Sequence, residues 1–346
     1  MLYVTTRSKR DADTPQRILT RARGEDGGLY IPMHEPSFNG DQLNAICRKG
    51  FNHCVAEILN LQFNTKLTSW DVDFAVGRHP VRLKKLNQRV IMGELWHNTK
   101  WKFSGMVDSL MQCVSREVST PVPTDWAAMG VRIAVLFGIY TELNRAGLAS
   151  MEQPFDVSVV SGDFSAAMSA WYARKWGLPI GNIVCSCNEN NDIWNLFCHG
   201  QLKMDNVIKR TDTPDADVAI PESLERLICA VGGYEAVEDY LFCLRRGLAY
   251  YPEQYLLRML RRGLHISVVS QPRIKQTIPN IYSGTGYVLS PYDALAFAGL
   301  LDYRSRTGAN AYAVVLSEKA PGCDLQYVAD ALKISTEELK AYFNKQ

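Results

Sequence analysis

Apolar positions along this chain alternate between short strand-like runs and stripes at helical spacing. Residues 157–160 form an apolar run that stops at Ser161-Gly162-Asp163, and helical spacing then continues until Gly177-Leu178-Pro179 ends it. This predicts a strand, a tight turn and a helix, and the partnerless N–H groups and dipole of such a helix favour an anion at the turn. Residues 2–5 read as a strand, followed by a short helix near 14–22, the turn Asp26-Gly27-Gly28 leading into Leu29-Tyr30-Ile31-Pro32, and a helix over 40–62 whose stripe is Ala45, Ile46, Val55, Ile58 and Leu59. A charged, irregular stretch runs to residue 88, followed by a strand at 89–92 and a helix at 103–115. The run Ser-Thr-Pro-Val-Pro-Thr at 119–124 is a rigid break before a strongly apolar helix at 126–146, which Gly147 ends. A strand at 183–186, a mainly helical stretch over 222–264, a last strand at 311–316 and helices at 325–332 and 336–344 complete the pattern. Strands separated by helices imply parallel pairing with right-handed crossovers, hence a three-layer α/β fold with a helix-rich N-terminal lobe.

Composition narrows the function classes. The 38 Lys and Arg residues against 36 Asp and Glu leave a net charge of +2, too small to point to nucleic acid as a partner. No run reads as a membrane-spanning segment, and Met1-Leu2-Tyr3-Val4 starts a strand rather than a secretory signal. Nine cysteines, an odd number with no CxxC pair, read as reduced thiols of a cytoplasmic protein. Six scattered histidines show no metal-ligand spacing, so no metal site is expected.

Five segments carry a resemblance: YVTTR at 3–7, GEDGGLYIP at 24–32, VVSGDFSAAMSAWYARKWGLP at 159–179, CSCNEN at 185–190 and TPDADVAIPESLERL at 213–227, with Pro214, Asp217, Glu225 and Arg226 on signature positions. Together they resemble the threonine synthases, pyridoxal-phosphate (PLP) enzymes of the tryptophan-synthase-β-like fold. The resemblance implies a mostly parallel sheet, an N-terminal lobe over 1–94 and an α/β domain over 95–346. It also implies a lyase reaction in amino-acid biosynthesis, the conversion of O-phosphohomoserine to threonine on a lysine-bound cofactor.

Set against that family, this chain departs at four places. In GELWHNTKWKFSGM, alignment from His97 puts Phe103 on the family's phenylalanine and Ser104 on its Schiff-base lysine; a hydroxyl cannot form an imine. Lys102 is the alternative amine: in an extended segment it shares a side with residue 104, whereas a helix already begun would turn it away. Solvent-facing charge beside an aromatic is the plain reading of Lys100 and Lys102. The phosphate cradle becomes Ser161, Gly162, Asp163, Phe164 and Ser165. There a carboxylate about 4 Å from a phosphate costs about 4 kcal/mol per charge pair, while Asp163 has a ready role as helix N-cap. The substrate-gripping subdomain expected after the lysine helix is missing, with the deletion point near 116–124. Ser317 or Glu318 falls on the threonine that approaches the pyridine nitrogen, with no histidine following.

The resemblance therefore implies a truncated, degenerate member: a pseudoenzyme without cofactor, in a binding, scaffolding or partner-subunit role. The alternative is a divergent threonine synthase or related PLP lyase using Lys102. A cofactor-independent enzyme would draw on His97, Asp163, Asn188, Glu189, Glu318 and Lys319. Asn188, Glu189 and Asn190 are placed on the substrate side, for a small amino-acid-like ligand. The face near Trp96, Trp101 and Trp126, beside the deletion, is the expected surface for a homo- or hetero-oligomer.

Overall fold

The computed structural model describes residues 1–8, 12–97, 101–118, 125–204 and 207–344. Lys100 and the break at 119–124 lie outside the described residues.

At the N-terminus β1 (Tyr3–Thr5) pairs antiparallel with β2 (Tyr30–Pro32), flanking α1 (Pro15–Ile18). The single helix expected over 40–62 is two, α2 (Gly40–Cys47) and α3 (Phe51–Phe63). Gly50 at φ +96° separates them, a left-handed geometry that only glycine adopts cheaply. The stretch read as irregular contains α4 (Ser69–Val76), started by reciprocal capping between Thr68 and Asp71, and then β3 (Arg82–Lys85).

The main sheet has six strands in the order β3, β4 (Val90–Glu94), β8, β5, β6, β7. Only β3 runs antiparallel. β4 pairs in register with β8 from Val90↔Ala313 to Glu94↔Ser317, so β3 and β4, within the expected lobe over 1–94, share one sheet with strands of the expected 95–346 domain. Between β4 and β5 come α5 (Phe103–Val118) and α6 (Asp125–Arg145), and then β5 (Phe155–Val160), α7 (Ser165–Lys175), β6 (Ile180–Cys187) and α8 (Asp192–His199). The helical stretch is α9 (Leu224–Arg246) and α10 (Gln254–Leu260). Beyond it lie three elements the pattern did not disclose: β7 (Leu264–Val268), α11 (Gln271–Thr285) and α12 (Pro291–Thr307). The chain closes with β8 (Tyr312–Ser317), α13 (Leu325–Leu332) and α14 (Thr336–Phe343).

Strand side chains divide between two cores with period two. Ile91, Val157, Val159, Cys185 and Val314 join the core under α6 and α7; Val90, Met92, Val184 and Val315 join the core under α12. On the α12 side the strands carry small polar residues. Ser158 Oγ donates to Ala296 O at 2.9 Å and Ser267 Oγ to Gly299 O at 3.1 Å, so the Ala- and Gly-rich α12 can lie close on the sheet. α6 is long and apolar enough to cross a membrane, contrary to the sequence reading, but 83% of its apolar window is buried inside the fold. All nine cysteines are unpaired thiols.

Candidate ligand-binding cleft

At the C-terminal end of β5 the chain turns through Ser161, Gly162 and Asp163 into α7, as its small residues predict. Gly162 (φ +42°) and Phe164 (φ +69°) both take left-handed geometry. Phe164 offsets the strain by complete burial of its ring. The turn forms one wall of a cavity of about 340 Å³ at the carboxyl ends of the parallel strands, where open α/β sheets place ligands. The cavity gathers residues distant in sequence: Lys102 and Ser104, Ser161, Gly162, Asp163 and Ser165, then Glu318 and Lys319.

Lys102 lies just before α5, where the chain is extended: Phe103 N donates to Glu318 O at 2.7 Å and Ala320 N to Trp101 O at 2.9 Å. This short bridge sets Lys102 directly opposite Lys319. The helix begins at Phe103, so Ser104 stands in its first turn, and both Lys102 and Ser104 reach the same cavity.

Asp163 differs in detail from its expected role. The N-cap position of α7 is Phe164, because the left-handed turn inserts one more residue before the helix. Asp163 nonetheless engages the helix start: its Oδ1 accepts from Ser165 N at 3.0 Å and Ser165 Oγ at 2.6 Å. The carboxylate thereby occupies a first-turn donor that an anion would use.

Arg132, from the middle of α6, was missed from sequence; it lines the cavity and donates from Nη1 to Glu318 Oε1 at 2.6 Å. Its guanidinium lies 4.9 Å from the centroid of Phe103. Burial opposes its charge, but Glu318 and Asp163 more than offset this and its pKa is raised. Lys319 Nζ lies 3.1 Å from Asp324 Oδ1, 3.6 Å from Asp215 Oδ2 and 4.6 Å from the Tyr292 ring centroid.

Other expected site residues lie behind the cavity. Ser317 is fully buried and accepts from Trp96 Nε1 at 2.9 Å. His97 bonds Glu94, whose other oxygen accepts from Tyr287 OH at 2.7 Å. Nearby Asp293 is pushed up to about 7 by burial, although the Ser290 backbone N–H and side chain bond it. Asn188 and Asn190, expected on the substrate side, are locked in a buried network instead. Asp217 Oδ1 accepts from Asn188 Nδ2 at 2.7 Å, Asn190 Nδ2 at 3.0 Å and Thr211 Oγ1 at 2.6 Å. Buried amides need such partners. Glu189 is half-buried and does not line the cavity.

Of the three tryptophans expected at an interface, Trp126 is 1% exposed and packs against Tyr3, Trp96 is half-buried, and only Trp101 is open, at 51%. Among the described residues no group of three or more His, Cys, Asp or Glu could hold a metal ion.

Comparison with known proteins fits this geometry. Residues 2–78 match the family model described as the threonine synthase N terminus. Human threonine synthase-like 1 is 22% identical over 175 residues, covering 50% of this chain and 24% of that protein. Threonine synthase from Pseudomonas aeruginosa is 23% identical over 173 residues, covering 49% of this chain and 36% of that protein. The match thus spans about a quarter to a third of these relatives' length. Among solved structures, PLP-bound threonine synthase from Brucella melitensis superposes with a TM-score of 0.83 at 18% identity, covering 96% of this chain and 92% of that one. The yeast enzyme gives 0.83 at 15% identity, covering 99% and 94%. The fold is that of the PLP-dependent threonine synthases, of the tryptophan-synthase-β-like type, as the sequence resemblance implied.

Proposed function

We propose that this is a threonine-synthase-like protein in which the cleft has lost PLP chemistry and serves to bind a small ligand without covalent attachment. The carrying observation is Ser104: it stands at the head of α5, inside the cavity, at the position the resemblance assigns to the Schiff-base lysine. A serine hydroxyl forms no imine with an aldehyde. The cradle supports the same reading, since Asp163 holds Ser165 N and places a negative charge where the cofactor phosphate would sit. The residues present do not fit PLP in the family's manner. The nine unpaired thiols accord with a reducing, cytoplasmic setting.

A second reading has one observation in its favour. Lys102 lines the same cavity as Ser104, so a lysine stands in the wall where an aldehyde would enter. The two readings separate in one experiment: incubation with PLP, reduction with borohydride and peptide mass spectrometry. The proposal expects no pyridoxyl-lysine and no turnover of O-phosphohomoserine. An adduct on Lys102 that vanishes in Lys102→Ala would overturn it. An oligomeric partner on the face beside α5 would rest on Trp101, and a changed mass in light scattering on Trp101→Ala would support it.

A further inference from the structure

We propose that Cys47 and Cys54 form a peroxide-responsive dithiol: a hydroperoxide oxidises the Cys47 sulfur, and Cys54 then closes a disulfide across the corner between α2 and α3. The pair lies in the N-terminal lobe, and its chemistry stands whatever the cleft binds.

Two pairs of cysteines lie close in sequence, and the fold treats them differently. Cys185 and Cys187 alternate on β6 and so share one side of the strand. Cys187 Sγ donates elsewhere, to Ser267 O at 3.3 Å, and burial pushes both thiols up, into the neutral and unreactive form. Cys47 and Cys54 are brought together by the chain's own turn. Cys47 ends α2, and Cys54 stands in the first turn of α3. Gly50 N donates to Cys47 O at 3.1 Å and Cys54 N to Gly50 O at 3.0 Å, so the left-handed Gly50 corner folds one helix end back on the other. There the two thiols share a hydrogen bond, and the Thr141 hydroxyl of α6 bonds both.

The pair is asymmetric. The bond from Cys54, opposed by burial and aided by Thr141, holds the Cys47 thiol below its ordinary range, while Cys54 is pushed well above. Tyr140 and Glu57 are further titratable groups that act on the two sulfurs. Cys54 is fully buried, whereas Cys47 is 6% exposed. The thiolate is the attacking form, so Cys47 reacts and Cys54 resolves.

In the first step the Cys47 sulfur attacks one peroxide oxygen. An S–O bond forms, the O–O bond breaks, and the departing hydroxide leaves as water with the thiol proton. In the second step the Cys54 sulfur attacks that of Cys47. An S–S bond forms, the S–O bond breaks, and a second water carries off the hydroxyl and the Cys54 proton. The two sulfurs together give up two electrons, which the peroxide accepts. Transient disulfides of this kind occur in reducing compartments as redox sensors.

The test treats the full chain with hydrogen peroxide, alkylates the remaining thiols with iodoacetamide, and seeks disulfide-linked peptides by mass spectrometry without reduction. A Cys47–Cys54 link that dithiothreitol reverses is expected. Cys54→Ala should leave a sulfenic acid on Cys47 that dimedone captures. Cys47→Ala should leave Cys54 a free thiol under the same treatment. Thr141→Val keeps the side-chain shape without the hydroxyl and should slow dimedone capture at pH 7 by about threefold or more. Both thiols recovered free from the folded, unaltered protein after the exposed Cys198 has been oxidised would overturn the proposal. Dimedone capture on Cys54 in Cys47→Ala, as fast as on Cys47 in Cys54→Ala, would overturn the assigned roles.

Discussion

The residues that carry the threonine-synthase resemblance at Asn188, Asn190, Asp217, Glu225 and Arg226 and those that depart from it occupy different parts of the molecule. The Asn residues of CSCNEN and the Asp217, Glu225 and Arg226 positions of TPDADVAIPESLERL act as polar cement, while Asp215 and Val218 of the latter segment line the cavity. Asn188, Asn190 and Asp217 bond one another, while Arg226, 1% exposed, joins Tyr30 O at 3.0 Å to Asp125 Oδ2 at 2.5 Å. Glu225 accepts from Thr6 and from Arg7 Nε at 3.0 Å, fastening the N-terminal lobe to α9. The departures behave differently: Ser104, Asp163 and Glu318 come from three distant stretches and meet in one cavity, which Lys102 and Lys319 also line. The difference separates what the fold needs from what its cleft can change.

The largest test of that division is Arg226. Its removal leaves Tyr30 O and Asp125 without their buried partner, and breaking such a pair costs about 3–5 kcal/mol. Arg226→Met should lower the midpoint of urea unfolding by a corresponding amount and expose the N-terminal lobe to protease. A shift as small as that of a surface substitution would show that the cement is not structural. Asp217→Ala comes next. It strands the Asn188, Asn190 and Thr211 donors and should cost about 2–3 kcal/mol, read the same way.

Asp293 supplies a pH test of the layer behind the cavity. Its pKa rises from 3.8 to about 7 because burial penalises the charged form. The folded state therefore binds its proton more tightly than the unfolded chain. That stability is fully present below about pH 4 and is lost as pH rises through about 7. Asp293→Asn keeps an acceptor for Ser290 N but carries no charge, so it should lack this decline. Its stability relative to the unaltered protein should rise by roughly 2–4 kcal/mol between pH 4 and pH 8. Parallel curves for the two proteins would place Asp293 in a more polar setting.

Much of this architecture is legible from residues alone, and the failures have physical causes. β5, the turn and α7 read correctly because a strand run, a glycine and a Gly-Leu-Pro stop coincide. The second half of the sheet does not: α12 is buried on all sides over residues 291–300, so that part has no polar face to set its period. α11 contains Pro279, which reads as a break. α4 was announced by Thr68 and Asp71 three residues apart, a signal outweighed by the surrounding charge. In the cleft, the resemblance led to Ser104, Asp163 and Glu318. It also suggested Asn188 and Asn190, because a buried amide network and a ligand-binding amide look alike in sequence. Arg132 went unread as one charge in an apolar helix, although a lone arginine there must find a carboxylate, and Glu318 provides it.

The smallest effect on stability is expected where the departure is greatest. Ser104 is exposed in the first turn of α5, and Ser104→Lys replaces one helix-compatible residue with another at a solvent-facing position. Unfolding should shift by no more than about 0.5 kcal/mol. The chemical consequence should be much larger, since the change restores an amine at the position the resemblance assigns to the imine-forming lysine. Combined with Asp163→Asn, which removes the negative charge from the cradle, Ser104→Lys should give a borohydride-trapped pyridoxyl group on residue 104, detected by peptide mass spectrometry, where the unaltered protein gives none. If the double variant folds normally and still traps nothing, the cleft differs from a PLP site by more than these two residues. Recovery by Ser104→Lys alone would show that Asp163 is a smaller obstacle to the phosphate than its charge implies.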